Sequence, residues 1–266
     1  MLMIITIHKH GCEGLEKTVN SVMPALKCKG IAGYLVYESG GKSLSESLTS
    51  SAEVAYVHDA PLEGISEALN KAVREGEKRF RAASHHTFVH SGDTLEMDGE
   101  ELGLISVEAD KQGLDLLFGL RVLEKGETRA TTQPDFDKIG RGMTVGHIGS
   151  VISNRIHQEV GGYCAEFRLA MDYDFMLNAY IAGAKNETYM KCITVMNENG
   201  ESARNAFRAL GEVYKIRCEH QLEAKWKLRM EYCIDCTKRF LYERLESRPH
   251  ILVYLRRLVN KNLAKP

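Results

Sequence analysis

Over its first 90 residues the chain alternates short apolar runs with helical stretches, a pattern that few architectures accept. Residues 2–7 (Leu-Met-Ile-Ile-Thr-Ile) read as a buried strand. Residues 14–26 follow as a helix with Leu15, Val19 and Val22 on one face, and residues 33–37 as a second strand. A polar, Gly-rich turn (Glu38-Ser-Gly-Gly-Lys-Ser43) precedes a third strand over 54–57, a helix over 64–82 and a fourth strand over 87–89. Repeated strand–helix–strand units predict an α/β fold: a mostly parallel, Rossmann-like sheet with right-handed crossovers and flanking helices. Further on, helices are expected over 100–111 and 172–182 and strands over 115–123, 149–153 and 188–196, with a hairpin and loop over 124–142. From Ser202 onward the pattern is helix after helix. The expected organisation is a catalytic-type domain, 1–203, and a helical extension, 204–266.

Charge sharpens that division. The net charge of −1 over 266 residues conceals a split. Residues 204–266 carry 15 Lys and Arg against 7 Asp and Glu, and the remainder carries 20 against 29. The basic extension therefore suits a phosphate-bearing partner, an anionic membrane surface or the acidic body itself. Its last stretch, Tyr254-Leu-Arg-Arg-Leu-Val-Asn-Lys-Asn-Leu263, mixes apolar and cationic positions at helical spacing and fits peripheral membrane association or packing on the body. Trp226 and the tyrosines are expected in the core. Seven scattered cysteines, an odd number, do not look like a secreted disulfide framework. Cys233-Ile-Asp-Cys236 reads as structural. No run reaches the roughly 18 apolar residues of a membrane span, and the N-terminus lacks a basic signal-peptide region. A cytoplasmic protein is expected, with no nucleic-acid partner and a homo-oligomer left open.

In an open parallel sheet, ligands bind beyond the carboxyl ends of the strands. Those ends carry Thr6-Ile7-His8-Lys9, Glu38-Ser39-Gly40-Gly41, Asp59 with Glu63, and His90-Ser91-Gly92-Asp93. Glycines admit close approach to a ligand backbone-first, and acids bind ribose hydroxyls or a divalent cation. Motifs of other nucleotide enzymes are missing: there is no GxxxxGK[ST], no GxGxxG after the first strand, no HExxH and no GxSxG.

Five segments, in order over residues 1–205, resemble family 2 inverting glycosyltransferases of the GT-A fold. Gly14-Leu-Glu-Lys-Thr-Val-Asn-Ser-Val22 is similar to the family's first helix, and Gly64-Ile-Ser-Glu-Ala-Leu-Asn-Lys-Ala72 to its "G-I-x-D-A-M-N-K-G". Phe88-Val-His-Ser-Gly-Asp-Thr-Leu95 resembles the strand end that bears the metal-binding DxD motif. The run from Gly161 to Phe175 is similar to "G-G-f-D-e-x-f-r-i-a-x-D-y-D-l", and Asn199-Gly-Glu-Ser202 to the closing "G-G-v-S". The nearest pattern is that of colanic-acid-type enzymes of polysaccharide assembly. Departures are visible. Glu38-Ser39-Gly40 stands for Asp-Gly-Ser, Leu62 with Glu63 for the acid before the second helix, and His90 for the first DxD acid.

The resemblance implies transfer of a sugar, with inversion, from a nucleoside diphosphate donor (a UDP-sugar foremost) to a saccharide or lipid-linked acceptor, with Mn²⁺ or Mg²⁺. Asp93 would hold the cation, and His90 fits a nitrogen ligand or a turn residue. Asp172 would be the general base, or else a simple helix N-cap, with Asp174 supporting. Thr6, Ile7 and His8 would line the nucleotide through backbone groups. Glu38 would meet ribose or uracil, or be a solvated turn acid. Gly92, Asn70 and Lys71 would lie at the donor, Lys71 facing the diphosphate or solvent, and His147 on the acceptor side or else as a satisfied loop histidine. The changed loops keep open a non-catalytic sugar-nucleotide-binding homologue and, less favoured, a nucleotidyltransferase.

Overall fold

In β1 (Leu2–Lys9), Leu2, Met3, Ile4 and Ile5 are wholly buried. A strand apolar on both faces belongs inside a sheet covered on both sides. In the computed structural model, which describes residues 1–9, 14–40, 54–59, 64–125, 128–197 and 204–246, β1 lies between β2 (Ile31–Ser39) and β4 (His85–Phe88), parallel to both. β3 (Val54–Asp59) continues the parallel run beyond β2. The second half of the sheet comprises β5 (Thr94–Leu95), β6 (Leu116–Lys125), β7 (Thr128–Thr132), β8 (Ser150–Ser153) and β9 (Asn186–Asn197). The strand order is β3-β2-β1-β4-β8-β6-β9-β5, with β7 hairpinned onto β6. All strands but β5, β7 and β8 point the same way, so the parallel character expected from the alternation survives the antiparallel insertion of β8 between β4 and β6.

Helices flank the sheet: α1 (Leu15–Val22), α2 (Ile65–Arg79), α3 (Gly99–Gln112), α4 (Asn154–Glu159) and α5 (Met171–Ile181). The helix expected over 64–82 buries one stripe of α2: Leu69, Ala72 and Val73 are inaccessible, and Gly76 presses against Met3. α3 starts at Asp98, whose carboxylate accepts from Glu100 N and Glu101 N, satisfying two of the first-turn donors. The α1 prediction ran too long at its C-terminal end. Pro24 tightens residues Met23–Lys27 into a 3₁₀ turn because it donates no backbone hydrogen bond.

Gly103 of α3 meets the backbone of Lys29 and Gly30, and a Cβ there would overlap the Lys29 carbonyl. Alanine gains about 1 kcal/mol over glycine in a helix interior, whereas overpacking against backbone costs about 1–3 kcal/mol. Gly103→Ala should therefore lower stability by up to about 2 kcal/mol, read by urea unfolding. A stabilised variant would show that the helix can slide off the Lys29 loop.

The chain forms two compact units, Met1–Gly200 and Glu201–Pro266. In the second, α6 (Ala206–Glu219) packs on α7 (Lys225–Glu246). Ile216 and Leu228 are buried, Tyr214 stacks on Tyr232 at 5.0 Å, and the buried Arg217 donates to Glu231 at 2.6 Å. Contrary to the expectation of a core residue, Trp226 is 70% exposed. It lies two residues before Leu228, hence on nearly the opposite side of α7. Cys233 and Cys236 are free thiols on α7, as are the other four described cysteines. The segment 254–263 lies outside the described residues.

Candidate active site

Four parallel strands deliver their ends to one edge. At the end of β1, His8 is buried and its Nδ1 shares a hydrogen bond with Ser91 Oγ at 3.1 Å, joining it to the loop after β4. At the end of β2, Glu38 is wholly buried and accepts from the Tyr56 hydroxyl. Burial corrects the expectation of a solvated turn acid: Tyr56, one strand over on β3, covers it. At the end of β3, Asp59 accepts from Tyr37 Oη at 2.6 Å and from Lys71 Nζ at 3.1 Å. Lys71 also pairs with Glu67 at 3.3 Å, so this lysine is engaged by two acids rather than left to solvent. A cavity of about 410 Å³ opens here, lined by Tyr37, Val57, His58, Asp59, Lys71 and Arg74, with Glu75.

The loop His90–Asp93 is fastened to α1. Thr18 Oγ1 donates to the Asp93 carbonyl at 2.7 Å and accepts from Gly92 N at 3.0 Å, while Ser21 Oγ accepts from Leu95 N at 3.0 Å. Gly14 and Gly92 both have positive φ, and a Cβ on Gly14 would stand 2.7 Å from the Gly92 Cα. Helix and loop thus meet backbone to backbone, a closeness only glycine permits. The loop presents Asp93, which is 7% exposed. Its Oδ1 accepts from Asn197 N at 2.9 Å. Burial pushes the carboxyl up to about 6; hydrogen bonds from the backbone of Asn197 and His90 and the charge of Lys17 oppose the rise without cancelling it. Asp93 is therefore a buried carboxylate whose charge the protein itself leaves partly uncompensated.

Beneath the loop lies a layer of rings from His86, Phe88, His90, His147, His157, Tyr163 and Phe175, with neighbouring centroids 4.7–6.1 Å apart. Burial holds the histidines neutral: His86 falls to about 3, His90 and His157 to about 4, and His147 well below its ordinary value. His147 Nε2 and Tyr163 Oη share a hydrogen bond of 2.8 Å. The Tyr163 phenol is pushed well above its usual range, first by burial and then by the charge of Asp172. Asn70 on α2 grips the Tyr163 backbone at both ends of its amide: Nδ2 donates to Tyr163 O and Oδ1 accepts from Tyr163 N, each at 2.8 Å. This layer thus links α2, the loop Gly161–Tyr163 and the start of α5. Tyr163→Phe should leave His147 Nε2 buried without its partner. The expected loss is about 1–3 kcal/mol, measured by denaturant unfolding; unchanged stability would mean that the imidazole finds another partner.

α5 begins with Met171, and Ala170 is its N-cap residue. Asp172 is therefore not an N-cap, contrary to that alternative. It sits half-buried in the first turn, where its Oδ1 accepts from Tyr173 N at 2.8 Å, and Asp174 is buried. Both carboxylates stand in the first turn of α5, at the positive end of the helix dipole.

The edge gathers His8, Glu38, Gly92 and Asp93 as expected. Thr6 and Ile7 belong below it. Thr6 Oγ1 bonds to Val89 O at 2.7 Å and Tyr34 Oη at 2.8 Å, and the Ile7 carbonyl accepts from Ser91 N at 3.3 Å. A central strand spends its backbone groups on both neighbours, so these residues support the site rather than face a ligand. Gly92 N–H and the Asn70 amide are likewise committed within the protein, giving both positioning roles. Thr18, Ser21 and Tyr163 were not singled out from the sequence. Thr18 and Ser21 occupy the polar positions of the first-helix motif, which was signal enough to find them. Leu62, Glu63 and Asn199–Ser202 (residues 199–202) lie outside the described residues.

No protein-family model matches the sequence, and no curated protein does. Solved structures do match. S. aureus TarS aligns with a TM-score of 0.56 and 13% identity over 80% of this chain, which spans 39% of that chain's length. TarS 1–349 in complex with UDP-GlcNAc aligns with a TM-score of 0.57 and 12% identity, over 87% of this chain and 70% of that one. A mannosyltransferase from Pyrobaculum calidifontis, in complex with GDP-Man and Mn²⁺, aligns with a TM-score of 0.57 and 10% identity, over 84% and 65%. At such identities the likeness is one of architecture. The chain has a GT-A-like α/β fold, its curled sheet flanked by helices.

Proposed function

We propose that the chain is an inverting glycosyltransferase that moves a sugar from a nucleoside diphosphate donor, a UDP-sugar foremost, to a saccharide or lipid-linked acceptor in surface polysaccharide assembly. The observation that carries this reading is Asp93: a buried, undercompensated carboxylate fixed at the strand-end edge of a fold shared with structures that hold UDP-GlcNAc or GDP-Man with Mn²⁺. Among the described residues, no three His, Cys, Asp or Glu side chains converge as a complete metal cage. The donor set fits a cation held by Asp93 together with oxygens brought by the substrate. When bound, Mn²⁺ or Mg²⁺ would neutralise charge developing on the leaving diphosphate.

Within the chain, Thr18 and Ser21 hold the Asp93 loop still, and the glycine contact keeps it close to α1. Glu38 and the cavity at Asp59 would take the nucleoside. Asp172 would accept the proton of the acceptor hydroxyl as that oxygen attacks the anomeric carbon, a single displacement that inverts it. Tyr163, protonated and held by Asn70 and His147, would keep the start of α5 in place. The reaction is assigned to the cytoplasm, with peripheral attachment at the membrane's inner face through the basic extension, 204–266. No described helix is long and apolar enough to cross a membrane. A second reading, a sugar-nucleotide-binding homologue without activity, is favoured by the engagement of Lys71 by Asp59 and Glu67.

Calorimetry with UDP-, GDP- and dTDP-sugars, each with and without Mn²⁺, tests the proposal. One donor should bind, and only with the cation. Binding of none would remove both readings.

A further inference from the structure

Helix α7 presents an unpartnered apolar face. Trp226, Met230, Ile234, Phe240 and Leu241 are 70%, 49%, 44%, 49% and 51% exposed. At about 100° per residue they fall within an arc of about 120° on one side of the helix. The opposite side is the one that packs on α6, through Leu228, Glu231 and Tyr232. Exposed cations flank the apolar arc: Lys238, paired with Asp235 at 3.1 Å, on one border and Lys225 and Arg229 on the other. Glu243 also lies on that second border, while Thr237 and Arg244 fall within the arc. The Arg244 guanidinium lies 5.2 Å from the centre of the Phe240 ring. The chain beyond this helix, residues 247–266, adds five Lys or Arg and no acid.

We propose that this face of α7 docks on an anionic lipid bilayer, lying in the interfacial plane with Trp226 and Phe240 at headgroup level. Three features favour a lipid surface over a protein partner. The face is a single stripe rather than a groove. It carries aromatic residues whose rings suit the headgroup region, and cations stand on both borders, matching acidic headgroups. Lysine and arginine stems can lie along the apolar boundary with their charges toward the phosphates. The helix is too polar to span, which leaves it on the surface. The assignment uses residues of the second unit alone and stands or falls separately from sugar transfer.

Trp226 is the only tryptophan in the chain, so its emission reports this face directly. The 266-residue chain would be titrated with phosphatidylglycerol–phosphatidylcholine vesicles and with pure phosphatidylcholine. Acidic vesicles should shift Trp226 emission to the blue, and brominated acyl chains should quench it. Pure phosphatidylcholine should bind weakly, and added salt should weaken the acidic case. Met230→Glu with Leu241→Glu keeps the reporter, substitutes only exposed positions and should weaken vesicle partitioning by roughly tenfold or more; circular dichroism checks that α7 remains. Three results overturn the proposal. The first is vesicle binding with unchanged, unquenched Trp226 emission, which would assign attachment to residues 247–266 alone. The second is a blue-shifted emission that depends on protein concentration without lipid, which would make the face a contact between copies. The third is no binding to acidic vesicles.

Discussion

Asp172→Asn should leave the protein folded and able to bind its donor while sugar transfer falls by about 10² to 10⁴, the share general base catalysis commonly supplies. The substitution keeps the shape of the side chain, and its amide oxygen can still accept from Tyr173 N, as Asp172 Oδ1 does at 2.8 Å. What it removes is the capacity to take a proton. Because Ala170, not Asp172, is the N-cap residue of α5, the variant gives up no capping bond, and a loss of activity would not be a loss of helix. Parallel turnover and thermal melts separate the two. Full activity in a folded variant would move the base elsewhere, and Asp174, buried one half-turn on, would be tested next.

Asp93→Asn should raise the stability of the free protein and abolish cation-dependent donor binding. The Asp93 carboxyl rises from 3.8 to about 6 on folding, chiefly by burial. Between about pH 4 and 6 the folded state therefore holds a proton that the unfolded state has released, so stability falls as pH rises through this window and stays lower above it. Two pK units correspond to about 3 kcal/mol. Asparagine carries no charge to desolvate and can keep the bond from Asn197 N. The variant should be more stable at pH 7 by up to about 3 kcal/mol, with a flatter stability profile between pH 4 and 6. Urea unfolding at several pH values reads the first effect and calorimetry with Mn²⁺ the second. A destabilised variant that still binds donor with cation would contradict both the uncompensated charge and the metal role.

Much of this was legible in the sequence, and the parts that were not have specific causes. The first three strands were readable because each is an apolar run bounded by glycines or polar turns, whereas β4 (His85–Phe88), expected over 87–89, starts on two histidines that only the buried ring layer explains. The central position of β1 followed from its being apolar on both faces. Strand ends carry the ligand edge in any open parallel sheet, so His8, Glu38 and Asp93 could be placed at that edge from the sequence, while the roles proposed for them rest on the resemblance. Burial was not legible in the same way. Glu38 looked like a turn acid because the tyrosine that covers it, Tyr56, comes from a different strand. Asn70 looked like a ligand contact because its partner, the Tyr163 backbone, is 93 residues away. Trp226 looked like core because a large apolar side chain on a helix usually is, and only the packing of α6 on the other side of α7 shows otherwise. In each case the missing information is a long-range contact, which no local pattern encodes.

The central claim is sugar transfer from a nucleotide donor with inversion, and its most direct test uses water as the acceptor. The protein would be incubated with Mn²⁺ and each of a set of UDP-, GDP- and dTDP-sugars, and the anomeric configuration of freshly released sugar followed by proton NMR before mutarotation. The account predicts that one donor yields nucleoside diphosphate together with the sugar in the opposite anomeric configuration, and that neither appears with Asp172→Asn. Release with retained configuration, or at an unchanged rate in Asp172→Asn, would contradict it.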